Sequence, residues 1–192
     1  MIRSTLLICA LGLSMTGCMT SPDWTETQRP KNWGMQIEKQ HNFYKISDWV
    51  YRSEQPNSQL LEDLQAHHIQ TVINLRSRNT DAGVFPAEQF NLVHIPVHTW
   101  AISREDLLQV MKQLQLSRQK NQKVLIHCYH GSDRTGASIA MYRIIFEGWD
   151  TANALNEMKH GGYGFHPIWQ NIEALFSPEN IKWIRQQLAD PS

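Results

Sequence analysis

The stretch Val124-Leu125-Ile126-His127-Cys128-Tyr129-His130-Gly131-Ser132-Asp133-Arg134-Thr135-Gly136 reads as a buried strand, a tight polar loop and the start of a helix. Five residues separate Cys128 from Arg134. A loop that short has to curl, and curling aims successive backbone N–H groups at one centre, a nest for a tetrahedral oxyanion. The helix behind it adds free first-turn amides and the positive end of its dipole, so an anion is stabilised at that spot, whether phosphate or thiolate. The sulfur of Cys128 is therefore expected in its nucleophilic form. Arg134 contributes a planar fork of donors that matches two oxygens of a phosphoryl group, which a lysine cannot reproduce. Gly131 relieves the backbone where the loop turns, Gly136 lets the helix approach closely, and the Thr135 hydroxyl can donate to the sulfur. Taken singly, Cys128 would be a small buried hydrophobe. Joined to these partners at this spacing, it reads as the nucleophile of a phosphate-ester site.

His127-Cys128, five residues, then Arg134-Thr135-Gly136 after a Val-Leu-Ile strand resembles the signature of cysteine-dependent protein tyrosine and dual-specificity phosphatases. A second stretch, Trp49-Val50-Tyr51-Arg52-Ser53-Glu54-Gln55-Pro56 followed by Thr71-Val72-Ile73-Asn74-Leu75-Arg76, is similar to the opening segment of compact atypical dual-specificity phosphatases of bacteria, plants and fungi. The resemblance runs from about Phe43 to Phe176. It implies that Cys128 attacks phosphorus to form a phosphocysteine. Arg134 and the loop residues Tyr129, His130, Gly131, Ser132, Thr135 and Gly136 would hold the phosphoryl group. The implied substrate is a phosphorylated protein or small phosphoester, with no cofactor and no metal. Phosphoinositide or inositol phosphate hydrolysis, and binding of a phosphorylated ligand without turnover, remain alternatives. A rhodanese-like sulfur transferase ranks behind them, because it would not require Arg134-Thr135-Gly136 leading into a long apolar helix.

In related phosphatases the loop before the helix preceding this strand often supplies an aspartic general acid, but His98-Thr99-Trp100-Ala101-Ile102 contains no carboxylate. Asp133 lies where myotubularin-like lipid phosphatases carry a loop aspartate proposed as the acid. It is read either as that acid or as a brace of the loop. Glu105 and Asp106 are read as first-turn and capping residues, with catalysis the alternative.

The rest of the chain predicts an α/β fold, a small and mostly parallel central sheet flanked by helices, as in dual-specificity phosphatases. Phe43–Ile46 and Trp49–Arg52 flank a hairpin turn at Ser47-Asp48, and Arg52 could face either the site or solvent. Asn57 or Ser58 can cap a helix carrying Leu60, Leu61 and Leu64 on one face, leading to a strand over Thr71–Leu75. Beyond it Arg76 and Arg78 are either substrate contacts or solvated loop arginines. A strand over Leu92–Val97 is followed by a helix capped by Ser103 with Asp106. The run Ala137–Phe146, apolar nearly all round, should be a buried spine ended by Gly148. Asp150 caps Ala152–Met158, the Gly161–Phe165 turn is a surface bend after which His166 could line a crevice, Pro167 opens another helix, and Ser177-Pro178 starts the last one.

Charge is balanced at 18 basic and 18 acidic residues, which argues against a nucleic-acid partner. Nine histidines show no metal-binding spacing. At the N-terminus, Arg3, the apolar Leu6–Leu13 and the following small residues form a signal-like run. Met15-Thr16-Gly17-Cys18 resembles the bacterial lipobox, with Met15 where leucine is commoner. The expected organisation is a lipoprotein signal peptide over 1–17, a lipidated tether over 18–41 whose Trp24 and Trp33 could dock on the domain surface, and the phosphatase domain over 42–192. Cys18 would anchor the protein in a membrane through lipid on its periplasmic face, and, by resemblance to enterobacterial lipoprotein sorting, Met19 in place of aspartate favours the outer membrane. With Cys9 in the signal run, Cys18 at its end and Cys128 in the loop, no cysteine remains for a structural disulfide.

Overall fold

The computed structural model describes residues 20–78 and 81–190, so the signal-like run and Cys18 lie outside the described residues. Six strands form one sheet: β1 Met35–Glu38, β2 Phe43–Lys45, β3 Val50–Ser53, β4 Ile69–Asn74, β5 Asn91–His94 and β6 Lys123–His127. Their order is β1-β2-β3-β6-β4-β5, with β3, β6, β4 and β5 parallel and the β1-β2-β3 meander antiparallel. The most apolar run, Val124-Leu125-Ile126, takes the inner position, as a strand covered on both faces should. Alternation then divides its side chains. Val124 and Ile126 join Val50 and Ile73 in the larger core, whereas Leu125 joins Tyr51, Val72, Leu60 and Leu64 in the smaller one.

The smaller core is covered by helix α1 (Ser58–Ala66), capped by Asn57. On the other face lie α2 (Arg104–Gln119), α3 (Asp133–Phe146), α4 (Thr151–His160), the single turn α5 (Gln170–Glu173) and α6 (Pro178–Ala189). Helix α3 is the spine: its residues from Thr135 to Ile144 are all buried, and α2, α4 and α6 pack around it. Parallel register sets Ser53 and Asn74 on either side of His127, so three strands end together immediately before Cys128.

The segment over 20–41, expected as a tether, is instead part of the domain. Ser21 N–H donates to Phe165 O at 2.7 Å and Trp24 N–H to His160 O at 3.0 Å. The Trp24 ring stacks between Trp33 and His160, and Trp33 is buried. Met35–Glu38 adds an edge strand. The physical reason is aromatic burial against residues more than a hundred positions away, which has no local period. The helix expected from Pro167 also forms late, as α5, because Trp169 takes a non-helical conformation in front of it.

Candidate active site

Strand β6 delivers Cys128 to the carboxyl edge of the sheet, where the thiol is 2 % exposed. Neighbouring strand ends fix the loop that follows. Leu75 N–H donates to His127 O at 2.9 Å, and Gln55 N–H donates to Tyr129 O at 3.0 Å. At the bend Gly131 has φ +71°, and a Cβ there would lie 2.4 Å from the carbonyl oxygen of Ser53. Conformation and contact both demand glycine. Helices α1, α2, α4 and α6 have their first-turn amides capped by the side chains of Asn57, Ser103, Asp150 and Ser177, but Ser132 makes no such bond to α3. The amides opening α3 are left for an anion inside the loop.

Arg134, half-buried, donates through Nη1 to the carbonyls of Leu75 at 3.1 Å and Val97 at 3.0 Å. Those oxygens end β4 and follow β5, so the sheet itself aims the guanidinium, and Nε and Nη2 have no protein partner among the described residues. The Thr135 hydroxyl is likewise buried and unpartnered. Tyr129 and His130 lie on the exposed outer rim, and Ser132 is buried. Gly136 leaves room for Met158, whose Cγ would be 3.0 Å from a Cβ at that position.

Arg52, for which the sequence offered the site or solvent, lies under the loop and is fully buried. Its Nη2 donates to Gly131 O at 2.5 Å and lies 3.5 Å from Ser132 O, and its guanidinium sits 3.7 Å from the Tyr163 ring centroid. Nε and Nη1 have no hydrogen-bond partner among the described residues. Burial pushes its pKa down, while Tyr163, Glu157 and the nearby Cys128 favour the charged form. An arginine stays protonated under such shifts. Glu157 accepts from Tyr163 Oη, Gly34 N–H and Arg143, so the ground beneath the loop is a buried ionic mesh.

Beside the loop, His127 Nδ1 lies 3.2 Å from Cys128 O, and Nε2 lies 2.9 Å from Asp81 Oδ2. Asp81 also pairs with Arg76 at 2.6 Å. Burial alone would raise the Asp81 carboxyl, but His127 and Arg76 outweigh it and hold it below its ordinary value. Arg76 is thus part of a brace rather than a substrate contact, while Arg78 is exposed. Residues Thr99–Ala101 form a single 3-10 turn, with His98 stacked on Trp100. Asp106 is occupied in a capping box with Ser103, and Glu105 pairs with Arg104.

Asp133, 9 % exposed, meets a residue that the sequence left at the margin. His166 N–H donates to Asp133 Oδ1 at 2.9 Å, and the His166 Nδ1 lies 3.0 Å from Oδ2. The Gly161–Phe165 turn is therefore packed on the Cys128–Arg134 loop rather than being a free surface bend. Its two positive-φ glycines, 162 and 164, were the available signal that this turn has a demanding shape. Among the described residues no cluster of three His, Cys, Asp or Glu side chains is placed to hold a metal ion.

The family model of the dual specificity phosphatase catalytic domain matches residues 50–177. The dual specificity protein phosphatase TpbA of Pseudomonas aeruginosa is 31% identical over 185 residues, covering 96% of this chain and 84% of its own. The crystal structure of that protein superposes with a TM-score of 0.76 at 32% identity, over 84% of this chain and 99% of the other. A cysteine-to-serine variant of it in complex with phosphotyrosine gives the same TM-score at 31% identity, with the same coverage. The structure of DUSP15 shares the fold, with a TM-score of 0.64 at 16% identity over 78% of this chain and 96% of the other.

Proposed function

Because the chain belongs to the dual specificity phosphatase family, we propose that it hydrolyses phosphotyrosine, phosphoserine and phosphothreonine esters of proteins through a phosphocysteine formed on Cys128. The observation that carries this reading is the loop itself. A buried thiol stands at the end of β6, in front of the uncapped amides of α3, with the guanidinium of Arg134 held by two strand-end carbonyls.

The sulfur attacks phosphorus in line with the departing oxygen. Arg134 and the loop amides take the three equatorial oxygens, whose charge they stabilise most in the transition state. The unpartnered Thr135 hydroxyl is suited to the sulfur when it leaves again. The proton for the leaving oxygen comes from the Asp133 side of the loop, since the 98–102 turn has no carboxylate to offer. Water then cleaves the phosphocysteine. Purified protein should release phosphate from both phosphotyrosine and phosphothreonine peptides, and Cys128→Ser should be folded and inactive. Exclusive action on inositol phosphates or phosphoinositides would move the substrate class, and substantial turnover by Cys128→Ser would remove the covalent route.

The chain is further proposed to be a lipoprotein, removed from its signal peptide at Cys18 and anchored on the periplasmic face of a membrane, with the outer membrane favoured. The support is the lipobox-like Met15-Thr16-Gly17-Cys18 behind an apolar run. Labelling with a palmitate analogue should mark the wild type and not Cys18→Ala. An unlabelled wild type that fractionates as soluble would reject the anchor.

A further inference from the structure

Both oxygens of Asp133 are taken up by one residue. His166 donates its backbone N–H to Oδ1 at 2.9 Å, and its ring Nδ1 stands 3.1 Å from Oδ1 and 3.0 Å from Oδ2. A carboxylate so engaged holds the proton on Nδ1 and leaves Nε2 as the ring nitrogen that gains and loses one. The Asp133 side chain is 12 % exposed and that of His166 24 %, so the ring is the more accessible member of the pair.

The ring is positioned rather than free. Gly162 and Gly164 turn the chain through φ +84° and +76° just before it, and a Cβ at Gly164 would lie 3.3 Å from Ser132 Oγ. Asn42 Nδ2 donates to both Tyr163 O and His130 O, tying this turn to the catalytic loop. Ser21 N–H holds Phe165 O from the far side. The His166 ring faces His130 with centroids 6.3 Å apart, at the loop's exposed rim. A group that serves a leaving oxygen belongs on that rim, because the leaving group points outward from a phosphoryl centre cradled in the loop.

We propose, resting on the phosphatase reading above, that Asp133 and His166 form one proton-donating pair, in which His166 Nε2–H protonates the leaving oxygen and Asp133 orients the ring. As the S–P bond to Cys128 forms and the P–O bond breaks, the departing oxygen takes the Nε2 proton and leaves as a neutral alcohol. The neutral imidazole then removes a proton from the water that attacks phosphocysteine, so that inorganic phosphate and the Cys128 thiolate are released and Nε2–H is restored. His166 is the catalytic residue of the pair and Asp133 its positioning residue.

The test compares kcat/KM for an alkyl phosphate and for an aryl phosphate with a good leaving group, across pH, in the full chain. The titratable and charged groups around the ring are Asp133 and His130, with Lys39, Tyr44, Glu54 and Tyr163 lining the same outer cavity. His166→Asn should lose roughly 10²–10⁴-fold on the alkyl ester, because only that leaving group needs the proton, and far less on the aryl ester. It should also lose the alkaline limb of the alkyl profile. Asp133→Asn should show a smaller selective loss on the alkyl ester than His166→Asn, since the ring keeps its donor but loses the carboxylate that orients it. In the wild type alone, the limb should appear with the alkyl ester and not with the aryl one. Equal losses on both esters in His166→Asn would overturn the pair as a proton donor. So would a selective alkyl loss confined to Asp133→Asn, which would put the proton on the carboxyl. A wild type that turns over neither ester overturns the phosphatase reading instead.

Discussion

Two arginines approach the catalytic loop from opposite sides and are used in opposite ways. Arg134, on the open side, commits one nitrogen to the carbonyls of Leu75 and Val97 and keeps the rest of its fork for a ligand. Arg52, underneath, is wholly buried against Tyr163 and bound to the loop carbonyls of Gly131 and Ser132. The front of the loop is sparse in contacts and built for charge that arrives with substrate. Beneath the loop lies the Arg143–Glu157 pair with buried Arg52 close by, and beside it the Arg76–Asp81–His127 brace, where removing one partner strands another. Substitutions in front should therefore show in turnover, and substitutions behind should show first in stability.

Arg134→Lys gives the largest expected effect, a fall in kcat/KM of about 10³-fold, because a point charge cannot replace the bidentate fork at the transition state. Its stability should fall by only about 1 kcal/mol, because a lysine ammonium can still reach the Leu75 or Val97 carbonyl. A large melting loss would break the contrast between front and back.

Beside the loop, Asp81→Asn should cost about 3 kcal/mol at neutral pH by removing the carboxylate that buried His127 and Arg76 share. Since its folded carboxyl titrates below the ordinary value, the Asp81 contribution is fully present above about pH 4 and is lost as pH falls through the lower folded value. Denaturant melts of the two proteins should therefore converge on acidification, and a gap that stays constant down to pH 2–3 would contradict the pairing. Arg52→Met should destabilise by about 1–3 kcal/mol through the orphaned loop carbonyls, and should also slow alkylation of Cys128 by iodoacetamide at neutral pH. Unchanged melting and unchanged alkylation would sink the role given to the buried cation.

The smallest effect calibrates the rest. Asp106→Asn, in the capping box of α2, should cost about 1 kcal/mol and show no preference between alkyl and aryl esters. A selective alkyl loss there would transfer the proton-donating role to α2.

What could be read in the chain beforehand follows the range of the interactions. The Cys128–Gly136 loop, the Ser103 capping box and the buried α3 spine are local patterns, and each stands where the sequence puts it. The β2-β3 hairpin was equally plain from alternation around Ser47-Asp48. In residues 20–41 the docking of Trp24 and Trp33 is legible in the sequence, but the edge strand and the anchoring at His160 and Glu157 are not, because no short window contains those partners. Arg52 and His166 were left undecided for the same reason: their partners, Tyr163 and Asp133, lie 111 and 33 positions away in the numbering. The missing carboxylate in the 98–102 turn was legible. Its proposed replacement needed the fold to bring His166 to the loop.

The central claim is that Cys128 carries the phosphoryl group between two chemical steps. Rapid acid quench of the wild-type protein during turnover of an aryl phosphate, followed by peptide mass spectrometry, tests it most directly. The account predicts a transient phosphoryl adduct on the peptide containing Cys128, more abundant in His166→Asn, where water is activated less well. No adduct on that peptide under steady turnover, or an adduct on another residue, would contradict it.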